Sequence, residues 1–429
     1  MEEWKEYKLG EITDIQTGPF GSQLHQRDYV DVGTPCIMPT NIGTHLDIKP
    51  EGIAHVKEED VARLNKHCVK TGDIIYSRGG DIEKCAFISK HEEGWLCGTG
   101  CLRIRINSLS ANPHFIAYQL STKECKKWIV GNAVGTTMLN LNTGILKELP
   151  LLMPDRQLQD SVVKILQSLD DKIEVNRRIN DNLEQQAQAL FKSWFVDFEP
   201  FRDQPFVESE LGMIPQGWSV GNIYEYIDVI YGAPYKSTLF NDNKDGLPLI
   251  RIRDLKTNAP QFYTPEVLPN TEYINAGDIV AGMDAEFIPY VWLGEKGVLN
   301  QRCCKFKGKN EAISNYYILF LIKPELEYVQ SYKTGTTVSH LGKSDIDRFR
   351  FVTPPLEVIK SFSNIVDCML KEVVNRSKES RRLAELRDTL LPRLMSGELS
   401  MDGLKGQSAV SPGQHPGAKA TSPGQHPGS

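Results

Sequence analysis

Two segments of the chain repeat their apolar residues with alternating spacings of four and three. In the first, from Asp155 to about Phe198, these positions are Leu158, Val162, Ile165, Leu169, Ile179, Leu183, Ala187, Leu190 and Trp194. In the second, from Glu357, they are Ile359, Phe362, Val366, Met369, Val373, Leu383, Leu386, Leu390 and Leu394. A spacing of 3.5 residues sustained over roughly six heptads is typical of a coiled coil. The pattern predicts two long helices, over residues 154–200 and 354–400, that pack against each other.

Both apolar repeats are interrupted by polar residues at the same point. Lys172 and Asn176 occupy core positions of the first helix, and Arg376 and Ser380 occupy those of the second. A polar residue at a core position can fix the register of a helix pair at some cost in stability. The alternative is a solvated gap between slightly splayed helices, and the pattern alone leaves both interpretations open.

The segments 1–153 and 212–353 have a different pattern, with short runs of β-branched residues between turn residues. Strands are predicted at Asp73–Tyr76, Leu102–Ile106, Asp278–Val280 and Phe349–Val352, and helices at His114–Trp128 and Asn315–Ile322. Leu102–Ile106 alternates apolar and basic residues, which predicts a strand with one buried and one solvated face. Each segment is therefore expected to form an α+β domain, called here globular domain 1 (residues 1–153) and globular domain 2 (residues 212–353).

The two domains share short motifs that occur in the same order. The matched pairs are Trp4/Trp218, Asp14/Asp228, Gly18/Gly232, Gly33-Thr-Pro35/Gly246-Leu-Pro248, Gly72-Asp-Ile/Gly277-Asp-Ile, Gly135-Thr-Thr/Gly335-Thr-Thr and Pro154/Pro354. The offset between the copies only shrinks, from 214 to 200. Unrelated turns can coincide because glycine and proline punctuate most loops, but the preserved order favours a tandem duplication.

The repeat and the helices together predict the architecture. A helix of about 43 residues is roughly 65 Å long and carries the chain away from domain 1. The second helix must lie along the first to bury its own apolar stripe. The expected fold is α+β, with two similar globular domains joined by a long antiparallel two-helix coiled coil and related by a pseudo-twofold axis.

Composition narrows the class of protein. Lys and Arg total 49 against 55 Asp and Glu, a net charge of -6, which excludes a chain that coats nucleic acid along its whole length. The start of the chain lacks the pattern of a signal peptide, and apolar runs such as Ile318–Ile322 are too short to cross a bilayer. Nine irregularly spaced cysteines are typical of a reducing compartment. A cytoplasmic protein without a membrane partner is expected.

The C-terminal segment 403–429 contains two copies of Ser-Pro-Gly-Gln-His-Pro-Gly, at Ser411–Gly417 and Ser422–Gly428. Because it is rich in Pro and Gly and has almost no apolar residues, it is expected to be a disordered tail.

Motifs for catalysis are incomplete. Gly342-Lys-Ser344 resembles the end of a phosphate-binding loop, but Gly335 lies seven residues before Gly342 where that loop needs five. Cys97 and Cys101 have no second cysteine pair at zinc-site spacing. Neither a nucleophile elbow nor a metalloprotease helix motif occurs. We expect a chain without catalytic residues, metal or cofactor.

Two similar surfaces in inverted orientation suit duplex DNA, on which a twofold protein meets two half-sites. Arg is suited to guanine, Asn and Gln to adenine, and Lys, Ser and Thr to phosphates and bases. The candidate DNA-contacting residues are Ser22, Gln23, Arg27, Asn41, Ser77, Arg78, Lys84, Lys126, Lys127, Thr136, Thr137, Lys236, Ser237, Arg251, Arg253, Arg302, Thr336, Thr337, His340 and Lys343. The competing hypothesis is a coiled-coil adaptor whose two domains bind proteins.

Three motifs carry a family resemblance. The helix end Leu190-Phe-Lys-Ser-Trp-Phe-Val-Asp-Phe-Glu-Pro-Phe201 and the closing Leu390-Leu-Pro-Arg-Leu-Met-Ser-Gly-Glu-Leu399 resemble the specificity subunit of type I restriction-modification enzymes. So does the paired Gly-Thr-Thr before a strand that ends in Pro. The resemblance covers residues 1 to about 400. One departure is that the second helix begins Pro354-Pro-Leu-Glu357 without a counterpart of Gln157.

The resemblance implies a function in restriction of phage DNA. The globular domains would be target recognition domains for a bipartite, asymmetric site, and the helices would be conserved spacers that dock two DNA methyltransferase subunits. Restriction and motor subunits would join through the complex, which in that family is an adenine-specific methyltransferase and an ATP-dependent endodeoxyribonuclease. The chain itself would be non-catalytic, and a methyltransferase-only complex is an open alternative. The spacer and docking candidates are Leu169, Asn176, Leu183, Leu190, Trp194, Phe195, Arg376, Leu383, Leu390 and Leu394.

Overall fold

The computed structural model describes residues 4–135, 139–333 and 340–399. The chain divides into unit 1, residues 1–169 and 385–429, and unit 2, residues 170–384. The predicted tail at 403–429 lies outside the described residues, as do Thr136, Thr137, Thr336 and Thr337. Within the described ranges, every helix is too short or too polar to cross a membrane.

Unit 1 contains ten strands among its described residues. They are β1 (Lys5–Lys8), β2 (Thr13–Thr17), β3 (Tyr29–Val30), β4 (Thr34–Ile37), β5 (Ala54–Val56), β6 (Ile74–Ser77), β7 (Cys85–Phe87), β8 (Leu96–Cys97), β9 (Cys101–Ile106) and β10 (Pro150–Met153). The helices that begin in it are α1 (Leu9–Ile12), α2 (Glu58–Arg63), α3 (Pro113–Leu120), α4 (Lys123–Asn132), α5 (Thr143–Lys147) and α6 (Arg156–Phe195).

Unit 2 contains twelve strands among its described residues. Its strands are β11 (Phe206–Ser209), β12 (Gly212–Pro215), β13 (Ser219–Asn222), β14 (Ile227–Tyr231), β15 (Leu247–Ile250), β16 (Tyr263–Thr264), β17 (Tyr273–Ile274), β18 (Ile279–Gly282), β19 (Pro289–Val291), β20 (Gly297–Leu299), β21 (Cys303–Gly308) and β22 (Arg350–Thr353). Its helices are α7 (Ile252–Leu255), α8 (Asn315–Lys333), α9 (Lys343–Ile346) and α10 (Leu356–Met395).

The sheet topology confirms the tandem duplication. The order β2-β9-β6-β7 in unit 1 matches β14-β21-β18-β19 in unit 2, and both sheets are antiparallel throughout. Each unit also has a second sheet that contains one parallel pair of strands: β4 with β8 in unit 1, and β15 with β20 in unit 2. The pair β1-β10 likewise matches β13-β22. The same strand order with the same directions supports a common origin for the two copies.

The repeated aspartate has the same role in both copies. Asp73 and Asp278 precede β6 and β18 and each accept a backbone N–H three residues earlier, from Lys70 and Asn275, at 2.8 Å. Each carboxylate also pairs with a cation of the neighbouring strand. The Arg105 Nη2–Asp73 Oδ2 distance is 2.6 Å, and the Lys305 Nζ–Asp278 Oδ2 distance is 2.9 Å. Each Gly-Asp-Ile motif therefore joins a turn to the central sheet.

The expectation of a solvated face on Leu102–Ile106 is wrong. Arg103 is 4% exposed, and its guanidinium pairs with Asp14 at 2.9 Å and donates to the Lys66 carbonyl at 2.9 Å. Arg105 is half-buried against Asp73. The basic residues alternate as predicted, but loops and strand neighbours cover them and supply the partners that a buried charge requires. In this strand, the alternation of apolar and basic residues therefore does not identify a solvated face.

Both helices predicted within the globular domains are present, with two differences. The segment His114–Trp128 is two helices, because Thr122 accepts the Cys125 N–H at 3.4 Å and begins α4 separately. The helix predicted at Asn315–Ile322 continues to Lys333 despite Pro324.

The antiparallel pairing of α6 and α10 is visible inside unit 2. Phe195 lies 5.1 Å from Phe362 between ring centroids. Towards the start of α6, Asn180 donates to Ser377 at 3.1 Å, and Asn176 donates to Ser380 at 3.3 Å. Along these contacts the residue number in α10 rises as the residue number in α6 falls, so the two helices run in opposite directions.

One predicted core position is wrong. Leu386 is 47% exposed, whereas the adjacent Arg387 is 6% exposed and contacts Asp388 at 2.7 Å and the His45 ring at 3.1 Å. A straight α-helix drifts by about 20° per heptad relative to a strict 3.5-residue repeat. In unit 1 the buried face of α10 is therefore shifted by one residue from the core positions that the 3.5-residue repeat predicts.

The polar interruption of the coiled coil is a hydrogen-bonded cluster. Asn176 is fully buried; its Nδ2 donates to Glu379 at 2.7 Å, and its Oδ1 accepts from Arg376 at 3.2 Å. The hydrogen bond from Asn176 lowers the pKa of the Glu379 carboxyl. Lys172 lies 3.4 Å from the same carboxylate. Asn176 thus has protein partners rather than a water-filled gap, which favours a role in register.

We expect Asn176→Ala to destabilise the protein by about 1–3 kcal/mol, because it leaves buried polar partners without a hydrogen bond. The measurement is chemical denaturation of the full chain. Arg178→Ala is the matched control, since Arg178 is exposed and pairs with Glu174 one turn away, which is worth about 0.5 kcal/mol or less. Equal stability of the two variants would contradict the buried network.

Candidate nucleic-acid interface

In domain 1, four loops meet at one end of the central sheet. β2 and β6 end there and β9 begins there, because β9 runs antiparallel to both. Gly18 N donates to Cys101 O at 2.9 Å, Arg78 N donates to Gly100 O at 2.8 Å, and Leu141 N donates to Arg78 O at 2.7 Å. We call this region the loop end of domain 1; it comprises residues 18–23, 78–84, 98–100 and 139–142.

Domain 2 has an equivalent loop end, formed by residues 232–237, 283–286, 300–302 and 340–343. Gly232 N donates to Cys303 O at 3.1 Å, Met283 N donates to Arg302 O at 2.9 Å, and Leu341 N donates to Met283 O at 2.7 Å. These three hydrogen bonds join the positions of domain 2 that are equivalent to the bonded positions of domain 1. In both copies the residues that follow the Gly-Thr-Thr motif are therefore held at the loop end.

The repeated glycines Gly18 and Gly232 allow the loops to approach this closely. A Cβ atom on Gly18 would lie 2.0 Å from the Gly98 carbonyl oxygen, and one on Gly232 would lie 2.1 Å from that of Asn300. Because real Cβ atoms do not come so near to a backbone oxygen, a side chain at either position would push two loops apart.

Several candidates of domain 1 lie at its loop end with accessible side chains. Ser22 is exposed, and Gln23 is half-buried with its Oε1 3.3 Å from Phe20 N. The Arg78 guanidinium lies over the Phe20 ring, 5.8 Å from its centroid. Lys84 pairs with Asp81 at 2.8 Å.

Two candidates have structural roles instead. Asn41 is buried; its Oδ1 accepts from Met38 N at 3.0 Å and its Nδ2 donates to Lys49 O at 3.1 Å. Ser77 is also buried, and its hydroxyl donates to Gly79 O at 3.2 Å. Because both side chains are buried and bonded to the backbone, neither is placed to contact a base, and we withdraw both from the candidate interface.

The other basic candidates of domain 1 lie outside these loops. Arg27 is exposed in the 3₁₀ turn Gln26–Asp28 before β3. Lys126 is half-buried and Lys127 is exposed on α4, the helix that leads towards the Gly-Thr-Thr segment.

Domain 2 has a charged cluster at its loop end. The Arg302 Nη1–Asp284 Oδ2 distance is 3.0 Å, and the His340 Nδ1–Asp284 Oδ1 distance is 2.6 Å. Asp284 did not emerge from the sequence, because its role depends on contacts with residues 18 and 56 positions later. Lys343 pairs with Asp347 at 2.8 Å and lies over the Tyr224 ring.

The remaining candidates of domain 2 differ in exposure. Arg251 is half-buried over the Phe262 ring, 4.4 Å from its centroid, and is 3.4 Å from Asp254. Arg253 and Ser237 are exposed. Lys236 is exposed and lies 3.8 Å from Glu266. Paired carboxylates thus orient many of the candidate cations, in keeping with the acidic overall charge.

The spacer candidates on the helices pack mainly within their own unit. In unit 2, Leu190, Trp194 and Phe195 join the main core cluster, and the Trp194–Phe362 centroid distance is 6.0 Å. In unit 1, Leu394 is buried and Leu390 packs against the core. Leu169, Leu183, Leu383 and Arg376 are half-buried. The exposed apolar residues of the helices are others, among them Val175, Ile365 and Leu386.

Seven of the nine cysteines are buried, Cys68 is half-buried and Cys368 is exposed. Burial raises the pKa of the Cys36 and Cys304 thiols to about 12, so they stay protonated near neutral pH. Across the described ranges, the His, Cys, Asp and Glu side chains form no group of three or more that could hold a metal ion.

The comparisons with known proteins agree with this architecture. The family model for the type I restriction modification DNA specificity domain matches residues 1–185 and again 215–379. The HindI specificity subunit of Haemophilus influenzae is 25% identical over 93% of this chain and 100% of its own length. The MjaIX specificity subunit of Methanocaldococcus jannaschii is 25% identical over 94% of this chain and 95% of its own.

A crystal structure of the type I restriction-modification S subunit from M. genitalium shares the fold, with a TM-score of 0.52 and 16% identity over 92% of this chain and 96% of that one. Specificity subunits are non-catalytic and provide DNA sequence recognition, while the catalytic activities belong to their partner subunits. The chain belongs to the type I restriction-modification specificity family.

Proposed function

We propose that the chain recognises a bipartite, asymmetric site in double-stranded DNA, with one half-site bound at each loop end. The observation that carries this proposal is the matched pair of loop ends, which share a backbone framework but differ in side chains. Arg302, Asp284 and His340 of domain 2 stand where domain 1 has Gly100, Gly79 and Asn140. A shared framework with different side chains suits two half-sites of different sequence.

In this proposal residues 1–153 and 212–353 are the target recognition domains, and residues 154–200 and 354–400 are the spacer. Each spacer helix has 40 residues, which corresponds to about 60 Å at a rise of 1.5 Å per residue. The same helices would provide the surface on which two methyltransferase subunits dock. Restriction subunits would join through that complex.

Salt dependence tests DNA binding against the adaptor hypothesis. We expect the logarithm of the association constant for random-sequence duplexes to fall linearly with the logarithm of salt concentration, because bound phosphates release counterions. Lys127→Ala should reduce the slope by about one, as a lost phosphate contact does. The measurement is fluorescence anisotropy with the full chain and its methyltransferase partner.

Lys90→Ala is the control, since Lys90 is exposed and follows β7 at the opposite end of the sheet. It makes the same change in net charge as Lys127→Ala. A complex that ignores duplexes at every salt concentration would exclude the DNA-binding proposal and favour the adaptor.

A further inference from the structure

At the loop end of domain 2, the carboxylate of Asp284 is less exposed than the two side chains that pair with it. The side chain of Asp284 is 28% exposed, whereas those of Arg302 and His340 are 58% and 46% exposed. Asp284 follows β18, Arg302 precedes β21, and His340 forms a backbone bridge with Asp284. A mostly covered carboxylate thus holds two accessible polar side chains from two other loops.

We propose that Arg302, oriented by Asp284, recognises a guanine in the half-site bound by domain 2. This inference rests on the proposed function and names a base within it. Arg302 is then a specificity-determining residue, Asp284 is a positioning residue, and the ligand is the major-groove edge of a G·C base pair.

The geometry of the guanidinium supports guanine. Arginine has five N–H donors in a planar fork, and Asp284 engages the Nη1 arm at 3.0 Å. N–H groups on the exposed side remain for guanine O6 and N7, which accept two parallel hydrogen bonds. Because the ion pair already limits the rotamers of Arg302, less conformational entropy is lost when the base is bound.

His340 limits the capacity of Asp284 to accept a hydrogen bond from cytosine. The second carboxylate oxygen, Oδ1, lies 2.6 Å from His340 Nδ1. Since an ionised carboxylate only accepts hydrogen bonds, Nδ1 carries the proton in this pair. Both oxygens of Asp284 are therefore engaged, one by Arg302 and one by His340, and the accessible donor of the cluster is the guanidinium.

Domain 1 provides an internal comparison. Arg78 N donates to Gly100 O as Met283 N donates to Arg302 O, and Gly79 bridges Asn140 as Asp284 bridges His340. The positions of the acid and the arginine are thus both glycine in domain 1. Guanine recognition by this cluster is expected in the half-site of domain 2 alone.

The test is selection from a pool of random-sequence duplexes by the full chain with its methyltransferase partner. We expect Arg302→Ala to lower the preference for guanine at one position of one half-site by roughly 5- to 150-fold, and to leave the other positions unchanged. Arg302→Lys keeps the charge but not the fork, and should lose the same preference while it retains the salt dependence of binding. Asp284→Ala should weaken the preference at that position by a smaller factor.

Lys309→Ala is the control, because Lys309 follows β21 at the opposite end of the sheet and also pairs with a carboxylate, Asp228, at 3.7 Å. Its selected sequence should match that of the unmodified chain. An unchanged consensus with Arg302→Ala, in a variant with unchanged melting temperature, would overturn the proposal. An equal loss of affinity at every position would also overturn it, since that indicates a phosphate contact. Full retention of the guanine preference by Arg302→Lys would overturn it as well, because the planar fork would then not be what selects the base. If the unmodified complex selects no sequence, the proposed function fails instead.

Discussion

Four residues inserted after Gln185 should lengthen the unrecognised gap between the half-sites by about one base pair. Gln185 lies within α6, where four residues add about 6 Å of helix and about 40° of rotation. B-DNA advances about 3.4 Å per base pair along each strand, so the shift in length lies between one and two base pairs. The rotation is close to the twist of one base pair. Both half-sites should be retained, with lower affinity because the insertion slips α6 against α10.

An insertion in the turn between β11 and β12 is the matched control for this experiment. The exposed residues Glu210 and Leu211 connect these strands outside both long helices. Four residues added there leave the lengths of α6 and α10 unchanged, so the gap should stay the same. A folded and active Gln185 insertion variant with half-sites at their original spacing would contradict the spacer model. The readout for both variants is the sequence of methylated sites in a host that also expresses the partner subunits.

Features that repeat along the chain could be predicted, because periodicity is a local property. The 3.5-residue repeat predicts α6 and α10, and the repeated Gly-Asp-Ile motif predicts equivalent turns at Asp73 and Asp278. The paired polar positions predict that Asn176 and Arg376 share a place in the coiled coil, and the two side chains bond directly.

Features that depend on distant partners could not be predicted. Asp284 has no motif of its own and gains its role only when the fold brings Arg302 and His340 to it. Arg103 is buried because Asp14, at 89 positions' separation, provides a partner on the adjacent strand. Asn41 resembles a base-contacting residue in sequence, yet its amide completes a turn. Residue type suggests a chemistry, but burial and partners decide whether the side chain is accessible for it.

The proposal that each domain recognises its own half-site predicts the outcome of a domain exchange. Residues 212–353 can be replaced by the matching region of another specificity subunit of the family. The donor's counterparts of β13 and β22, which pair near the two junctions, should keep the same register so that the domain keeps its attachment to α10. Because the loop end of domain 1 is then untouched, its half-site should stay the same.

The most direct measurement is methylome sequencing of hosts that express the original or the exchanged chain with the same methyltransferase partner. The original chain should give one bipartite motif with two different halves and a fixed gap. The exchanged chain should keep one half and the gap, and replace the other half with a half-site of the donor subunit. A change in both halves at once, or a motif without an internal gap, would contradict independent recognition by the two domains.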